Sequence, residues 1–147
     1  MKLLRQLLFC MIFIAPLSGE AEDFPLHRSK QAFPEAMLSL QEAITERGYI
    51  ISRIQHVDVG LSKSGYKTDK YQIVFFGKAD VTKRLKNIEP SLIPYLPLRV
   101  VIFAEGDETL LFSTSLKHSL PVNKDHDIEV LVRHLDDDIT GIINQVD

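Results

Sequence analysis

The sequence predicts an α+β fold, in which a curved antiparallel sheet packs against helices on one face. Segment 98–117 has two β-rich runs on either side of Gly106-Asp107, a pattern typical of an antiparallel hairpin. Residues 128–146 carry isoleucine, leucine and valine at helical spacing, which predicts a long closing helix. The apolar periodicity of the rest completes the order strand, helix, strand, strand, short helix, hairpin and long helix.

The first half of this pattern has clear local signals. A short strand is expected over 24–30, and Pro34 then begins a helix over 34–47 that ends before Gly48, a residue suited to a left-handed C-terminal cap. The alternating, β-branched run 49–59 predicts the second strand. Its two expected sides are Ile50, Ser52, Ile54 and His56, and opposite them Tyr49, Ile51, Arg53 and Gln55.

The second half continues with a polar loop over 60–69, a strand over 70–77 and a short helix over 79–88. A proline-containing loop then leads to the hairpin strands 98–105 and 109–117. After a loop at 118–124, Asp125 or Asp127 is available to cap the final helix.

Two of the predicted strands are apolar on both faces, which a sheet with only one covered face does not require. These strands contain IVFF at 73–76 and VVIF at 100–103. Something is therefore expected to cover the second face, and a partner copy of the chain or an apolar ligand are the two candidates.

The amino terminus resembles a secretory signal peptide. Lys2 and Arg5 precede an apolar run that is too short to span a bilayer, and small residues end at Ala21. We expect cleavage after Ala21, a single domain over 22–147, a periplasmic or secreted location, and membrane contact only during export. The one cysteine, Cys10, lies in this leader, so thiolate chemistry is not expected in the mature chain.

The overall composition argues against nucleic acid as a partner. The formal net charge is −3, and there is no cluster of lysine and arginine of the kind that phosphate backbones require. No cofactor is expected.

Several segments together resemble the family called domain of unknown function 302. They are Phe33 to Tyr49, the strand YQIVFFG, and Ile93-Pro94-Tyr95-Leu96-Pro97-Leu98-Arg99-Val100 with the hairpin that follows. The resemblance implies a fold similar to that of the TATA-binding protein, and it implies no activity. The family pattern has cysteines where this chain has Gly77-Lys78-Ala79 and Pro97-Leu98-Arg99, so thiol chemistry that relatives could perform is not expected here.

Four residues are candidates for binding an anionic group on the sheet. Arg99 opens a predicted strand, and His56, Tyr71 and Lys117 are its expected neighbours on the same sheet. The alternative for Arg99 is an edge residue whose aliphatic part covers apolar surface.

Three residues of the last helix are weak candidates for a metal site. His134 and Asp138 are four residues apart and could reach one ion, and His126 precedes His134 by eight residues. A solvated helix face explains these residues better, and no metal site is expected.

The sequence therefore favours a non-catalytic exported binding module that dimerises or holds a small apolar or anionic ligand on its sheet face. The alternative is a small periplasmic enzyme or metal-handling protein that uses His134, Asp138 and His126, or Arg99 with His56. A purely structural homodimer is the third option.

Overall fold

The computed structural model describes residues 24–120 and 125–147. The expected leader over 1–21 lies outside the described residues. Along the chain, the elements are β1 (Leu26–Ser29), α1 (Phe33–Glu46), β2 (Ile50–His56), α2 (Val57–Lys63), β3 (Tyr71–Gly77), α3 (Ala79–Ile88), a 3₁₀ helix (Pro90–Tyr95), β4 (Leu98–Glu105), β5 (Glu108–Phe112), a second 3₁₀ helix (Lys117–Ser119) and α4 (His126–Asn144).

The strands form one five-stranded antiparallel sheet in the order β1-β5-β4-β3-β2. Helices α1 and α4 contact each other and pack on one face of this sheet. The α+β class predicted from periodicity is confirmed. In the described residues, no helix is long and apolar enough to cross a membrane.

The hydrophobic core lies between the sheet and the helices. It takes alternate residues from the central strands, among them Val74, Phe76, Val100, Ile102 and Leu111, each fully buried. Helix α4 contributes the apolar stripe that its spacing predicts, from Ile128 to Ile143. Burying a side chain of this size contributes about 1.5–3 kcal/mol, so the stripe fixes α4 on the sheet.

The ends of the two long helices follow from local chemistry. Pro34 occupies the first turn of α1, and Gly48 follows the helix with a φ of 74°, which favours glycine. Asp125 caps α4, because its side chain accepts a hydrogen bond from the backbone N–H of Asp127 at 3.2 Å.

Strand β2 does not keep the expected alternation. The pairing register shifts between Ile51 and Arg53, so Ile51 lies opposite Phe76 and Arg53 lies opposite Phe75. Directly paired residues point to the same side, and Phe76 is in the core, so Ile51 points to the core while Arg53 points away from it. The grouping of Ile51 with Arg53 is wrong because a bulge adds a residue that strict alternation omits.

Two other boundaries differ from the sequence prediction. Residues 57–63 form α2 rather than the end of a strand and the start of a loop, with Asp58 in its first turn and Lys63 in its last. Strand β5 ends at Phe112 instead of continuing to 117. Beyond it, Asp136 of α4 accepts hydrogen bonds from the backbone N–H groups of Leu116 and Lys117, which draws this segment away from the sheet.

Candidate functional site

The sheet face opposite α1 and α4 is the main candidate binding surface. We call it the open face and define it by alternate residues of the five strands: Leu26, Arg28, Arg53, Gln55, Tyr71, Ile73, Phe75, Arg99, Val101, Phe103, Glu105, Glu108, Leu110 and Phe112. None of them belongs to the core cluster. Most of its apolar residues in β3, β4 and β5 are half-buried, and Val101 at the centre is 9% exposed. The open face is therefore an apolar surface outside the core.

One end of the open face is basic. Arg53 and Arg99 lie on either side of Phe75 in a single row across three strands. The guanidinium carbon of Arg53 is 4.7 Å from the centre of the Phe75 ring, a cation–π contact. Arg53 also donates a hydrogen bond to the side chain of Gln55 at 3.0 Å. Within the described residues, neither arginine forms a salt bridge.

The middle of the open face is apolar. Ile73, Val101 and Phe112 are direct neighbours across β3, β4 and β5, and Leu26 of β1 extends this row. Leu26 is 61% exposed, so this end of the row is open to solvent.

The next row contains Tyr71 and Phe103, whose rings meet edge to face with centroids 5.8 Å apart. Leu110 and Arg28 continue it across β5 and β1. Apart from Arg28, the two rows together form one continuous apolar strip across the sheet.

The other end of the open face is acidic. Glu105 and Glu108 pair across the hairpin between β4 and β5. Both contact the guanidinium of Arg28, Glu108 at 3.4 Å. The hydrogen bond with Glu105 raises the pKa of Arg28, so this arginine stays protonated. Two carboxylates share one cation, which leaves an excess of negative charge at this end.

The structure does not bring the four anion-binding candidates to one point. Arg99 and Tyr71 both lie on the open face, but Tyr71 pairs with Phe103, four residues along β4 from Arg99, a separation of about 13 Å. His56 pairs with Gln72, which pairs in turn with the core residue Ile102, so His56 points to the opposite side of the sheet.

Lys117, the fourth candidate, lies beyond the sheet. It is in the second 3₁₀ helix and lines a groove of about 700 Å³ between the start of β1, segment 115–120 and α4. Asp136 in this groove accepts hydrogen bonds from Ser115 Oγ at 2.5 Å and from two backbone N–H groups. The carboxylate therefore has a structural role, as it holds the end of the chain after β5 against α4.

Sequence reasoning missed Arg53 as a neighbour of Arg99. It placed Arg53 on the same side of its strand as Ile51, and the bulge reverses that relation. The positions of Arg53 and Arg99 on either side of Phe75 depend on long-range pairing, for which the local sequence has no signal.

The three weak metal candidates are not gathered around one point either. His134 Nε2 lies 3.8 Å from Asp138 Oδ2, but His126 begins α4 and is about 12 Å from His134 along the helix axis. Among residues 24–120 and 125–147, no group of three or more His, Cys, Asp or Glu side chains could hold a metal ion.

Asp138 instead joins α4 to the sheet through a polar cluster. The Tyr49 hydroxyl donates a hydrogen bond to Asp138 Oδ2 at 2.6 Å, and Lys78 Nζ lies 3.8 Å from the same oxygen. Lys78 Nζ is also 3.9 Å from the centre of the Tyr49 ring. Burial and the Asp138 carboxylate raise the pKa of Tyr49, so the phenol stays protonated and remains a donor. The geometry makes this cluster a structural connection.

Comparison with known proteins places the chain in a family. The profile of the domain of unknown function DUF302 matches residues 27–146. The chain belongs to the DUF302 family. A crystal structure of an uncharacterized conserved DUF302 protein from Bacillus stearothermophilus superposes with a TM-score of 0.77 at 13% sequence identity, over 86% of this chain and 100% of that one. No curated protein matches the sequence.

The segments Gly77-Lys78-Ala79 and Pro97-Leu98-Arg99 lie at the same end of the sheet. Phe76, just before Gly77-Lys78-Ala79, pairs with Leu98 of Pro97-Leu98-Arg99. In this chain Lys78 contacts Tyr49 and Asp138 there.

Proposed function

We propose that this DUF302 protein is a non-catalytic binding module and that the open face is its binding surface. One observation carries the proposal: both faces of the central strands are apolar, but α1 and α4 pack on only one of them. Phe75, Phe103 and Phe112 lie on the other face and are half-buried.

An apolar face of this extent favours association. Each square ångström of apolar surface removed from water contributes about 25 cal/mol, and contiguous apolar patches on a soluble protein mark interaction sites. Antiparallel sheets with one solvated face ordinarily place polar residues on it. Ile73, Val101 and Phe112 are apolar at such positions, so they favour a bound partner over water.

The polar groups of the open face fit binding rather than catalysis. They include the guanidinium groups of Arg53 and Arg99, the amide of Gln55 and the phenol of Tyr71. Guanidinium groups do not exchange protons near neutral pH, but they hold carboxylates and phosphates well. The face is therefore suited to a partner with an apolar body and negative charge at one side.

The leader-like segment at 1–21 supports an exported protein, so we place this binding outside the cytoplasm, in the periplasm or the medium. The lone cysteine at position 10 lies in that segment. Binding by residues 22–147 consequently proceeds without thiol chemistry.

Native mass spectrometry of protein expressed from the full-length reading frame tests the proposal. Wild type should carry either a second copy of the chain or a noncovalent small molecule, and should bind the apolar anionic dye anilinonaphthalenesulfonate if the face is free. The double variant Ile73→Lys, Leu110→Lys should lose these associations, because it places ammonium groups in the apolar strip.

Val130→Lys is the matched control, since Val130 is an exposed valine of α4, 48% exposed, and lies away from the open face. It should behave as wild type. A wild-type chain that is monomeric, carries no small molecule and binds no dye contradicts the proposal, as does equal binding by wild type and the double variant when both are folded.

A further inference from the structure

The open face has a charge pattern that a small ligand does not explain. Arg53 and Arg99 form its basic end, and Glu105 and Glu108 form its acidic end. Arg99 and Glu105 are six residues apart on β4, which separates the two ends by about 20 Å. The face is a strip with opposite charge at its two ends and apolar side chains between them.

Both ends have unsatisfied charge in the isolated chain. Arg53 and Arg99 are exposed and contact no carboxylate within the described residues, and Arg53 reaches only the neutral Gln55 side chain. At the acidic end, Glu105 and Glu108 share the single guanidinium of Arg28. Each end can therefore accept a group of opposite charge from a partner.

We propose that the open face binds a second copy of this chain, with the strands of the two copies running antiparallel. The inference rests on the proposed function and names its partner. A two-fold axis that lies between the two sheets and runs across the strands sets β4 of one copy over β4 of the other in the reverse direction, so Arg99 of each copy lies over Glu105 of the other. The same axis places the apolar strips in contact at the centre.

Other arrangements satisfy fewer of these groups. An axis parallel to the strands places arginine against arginine and glutamate against glutamate, and like charges in an interface oppose association. A fatty acid or another amphipathic anion neutralises Arg53 and Arg99 but leaves Glu105 and Glu108 unused. A second copy pairs Arg99 with Glu105 twice, because a two-fold interface presents the same self-complementary surface twice.

The packing geometry is also suitable. Sheets stacked face to face lie about 10 Å apart, with side chains from both sheets filling the space. Phe75, Phe103 and Phe112 supply the side chains that such a layer needs. The long helices lie on the outer sides of the resulting four-layer dimer, away from the interface.

Complementary charge reversal tests this arrangement. Variant A carries Arg53→Glu and Arg99→Glu, so both ends of its open face are acidic. Variant B carries Glu105→Lys and Glu108→Lys, so both ends are basic. Sedimentation equilibrium, on protein expressed from the full-length reading frame, should show that wild type dimerises and that each variant alone associates at least about tenfold more weakly.

An equimolar mixture of variants A and B should recover association, since each acidic end then meets a basic end. The double variant Lys83→Glu, Arg84→Glu is the control for variant A, because it makes the same change of charge as A at exposed positions on α3 and should dimerise as wild type. Thermal unfolding of A and B confirms that both are folded.

The outcomes separate this inference from the proposed function. Dimers of A and B as strong as wild type, or no recovery in the mixture, overturn the antiparallel dimer. A monomeric wild type that binds anilinonaphthalenesulfonate or dodecanoate on the open face also overturns the dimer, yet it upholds a binding module for amphipathic anions. A monomer that binds neither overturns both.

Discussion

The hydrogen bond between Tyr49 and Asp138 allows a direct test of how α4 is held on the sheet. The hydroxyl donates to Asp138 Oδ2 at 2.6 Å, Tyr49 is 3% exposed, and the Asp138 side chain is 17% exposed. A hydrogen bond to a charged acceptor contributes about 1.5–3 kcal/mol. Tyr49→Phe should therefore lower the free energy of unfolding by about 2 kcal/mol, because phenylalanine keeps the ring packing with Phe76 and loses only the donor.

A double-mutant cycle separates this bond from the other contacts of Asp138. Asp138→Ala removes the same hydrogen bond and also the approaches of Lys78 and His134, each at 3.8 Å. The double variant Tyr49→Phe, Asp138→Ala should lose less free energy of unfolding than the two single variants lose together. The difference is the coupling energy, which should be about 1.5 kcal/mol. Urea unfolding followed by far-UV circular dichroism measures all four proteins. A coupling energy below about 0.5 kcal/mol refutes the reasoning, since coupling within one bonded pair should exceed that value.

Alkaline pH gives the same contact a second readout. Burial, and then the Asp138 carboxylate, raise the pKa of Tyr49 above its ordinary value of about 10. The unfolded chain therefore releases this proton more readily than the folded one. The stabilisation is complete below pH about 10 and is lost as pH rises above that value. In Tyr49→Phe, stability should fall less steeply with rising pH than in wild type. An equal fall in both proteins would mean that another group causes it.

The remaining predictions concern other local contacts. Asp136→Ala should lower the free energy of unfolding by about 2–3 kcal/mol, because it leaves backbone N–H groups after β5 without their acceptor. Asp137 is an exposed neighbour, so Asp137→Ala should change the free energy of unfolding by less than about 0.5 kcal/mol. Gly48→Ala should lower the free energy of unfolding by about 1–2 kcal/mol, because the φ of Gly48 is +74°. Gly60→Ala should raise the free energy of unfolding by about 0.5–1 kcal/mol, because Gly60 lies within α2 and an added Cβ meets nothing within 4 Å. Urea unfolding measures both variants, and a loss of stability at Gly60 as large as that at Gly48 would contradict the conformational explanation. Zinc should not raise the melting temperature, since no group of three potential ligands exists within the described residues, and a rise that disappears in His134→Ala would contradict this.

Sequence reasoning was most successful where local chemistry marks the ends of an element. Strand β4 and helix α3 have the bounds that the sequence predicts, 98–105 and 79–88. Gly106 ends β4 with a φ of 64°, a conformation that favours glycine at the hairpin turn. Of the two capping candidates Asp125 and Asp127, the cap is Asp125, and the sequence offers it because a cap acts within three residues of its own position.

The prediction was wrong where distant parts of the chain decide the structure. Residues 113–117 read as strand, but Ser113 Oγ donates to the backbone carbonyl of Arg99, and Asp136 then takes the N–H groups that follow. Residues 57–63 read as strand and loop, although Val57 and Leu61 have helical spacing. Seven residues supply too short a window for periodicity to separate a helix from a loop.

The bulge in β2 decides on which face of the sheet Arg53 lies. Strict alternation would place Arg53 on the same side as Ile51, which packs against the core beneath the helices. A guanidinium there would lose its hydration without gaining an ion-pair partner, so its burial would destabilise the fold. The register shift instead points Arg53 to the open face beside Phe75, in one row with Arg99, and keeps both Ile51 and Ile54 on the core side. Bulges re-aim side chains in this way at the edges of sheets, and here the bulge adds Arg53 to Arg99 at the basic end of the open face.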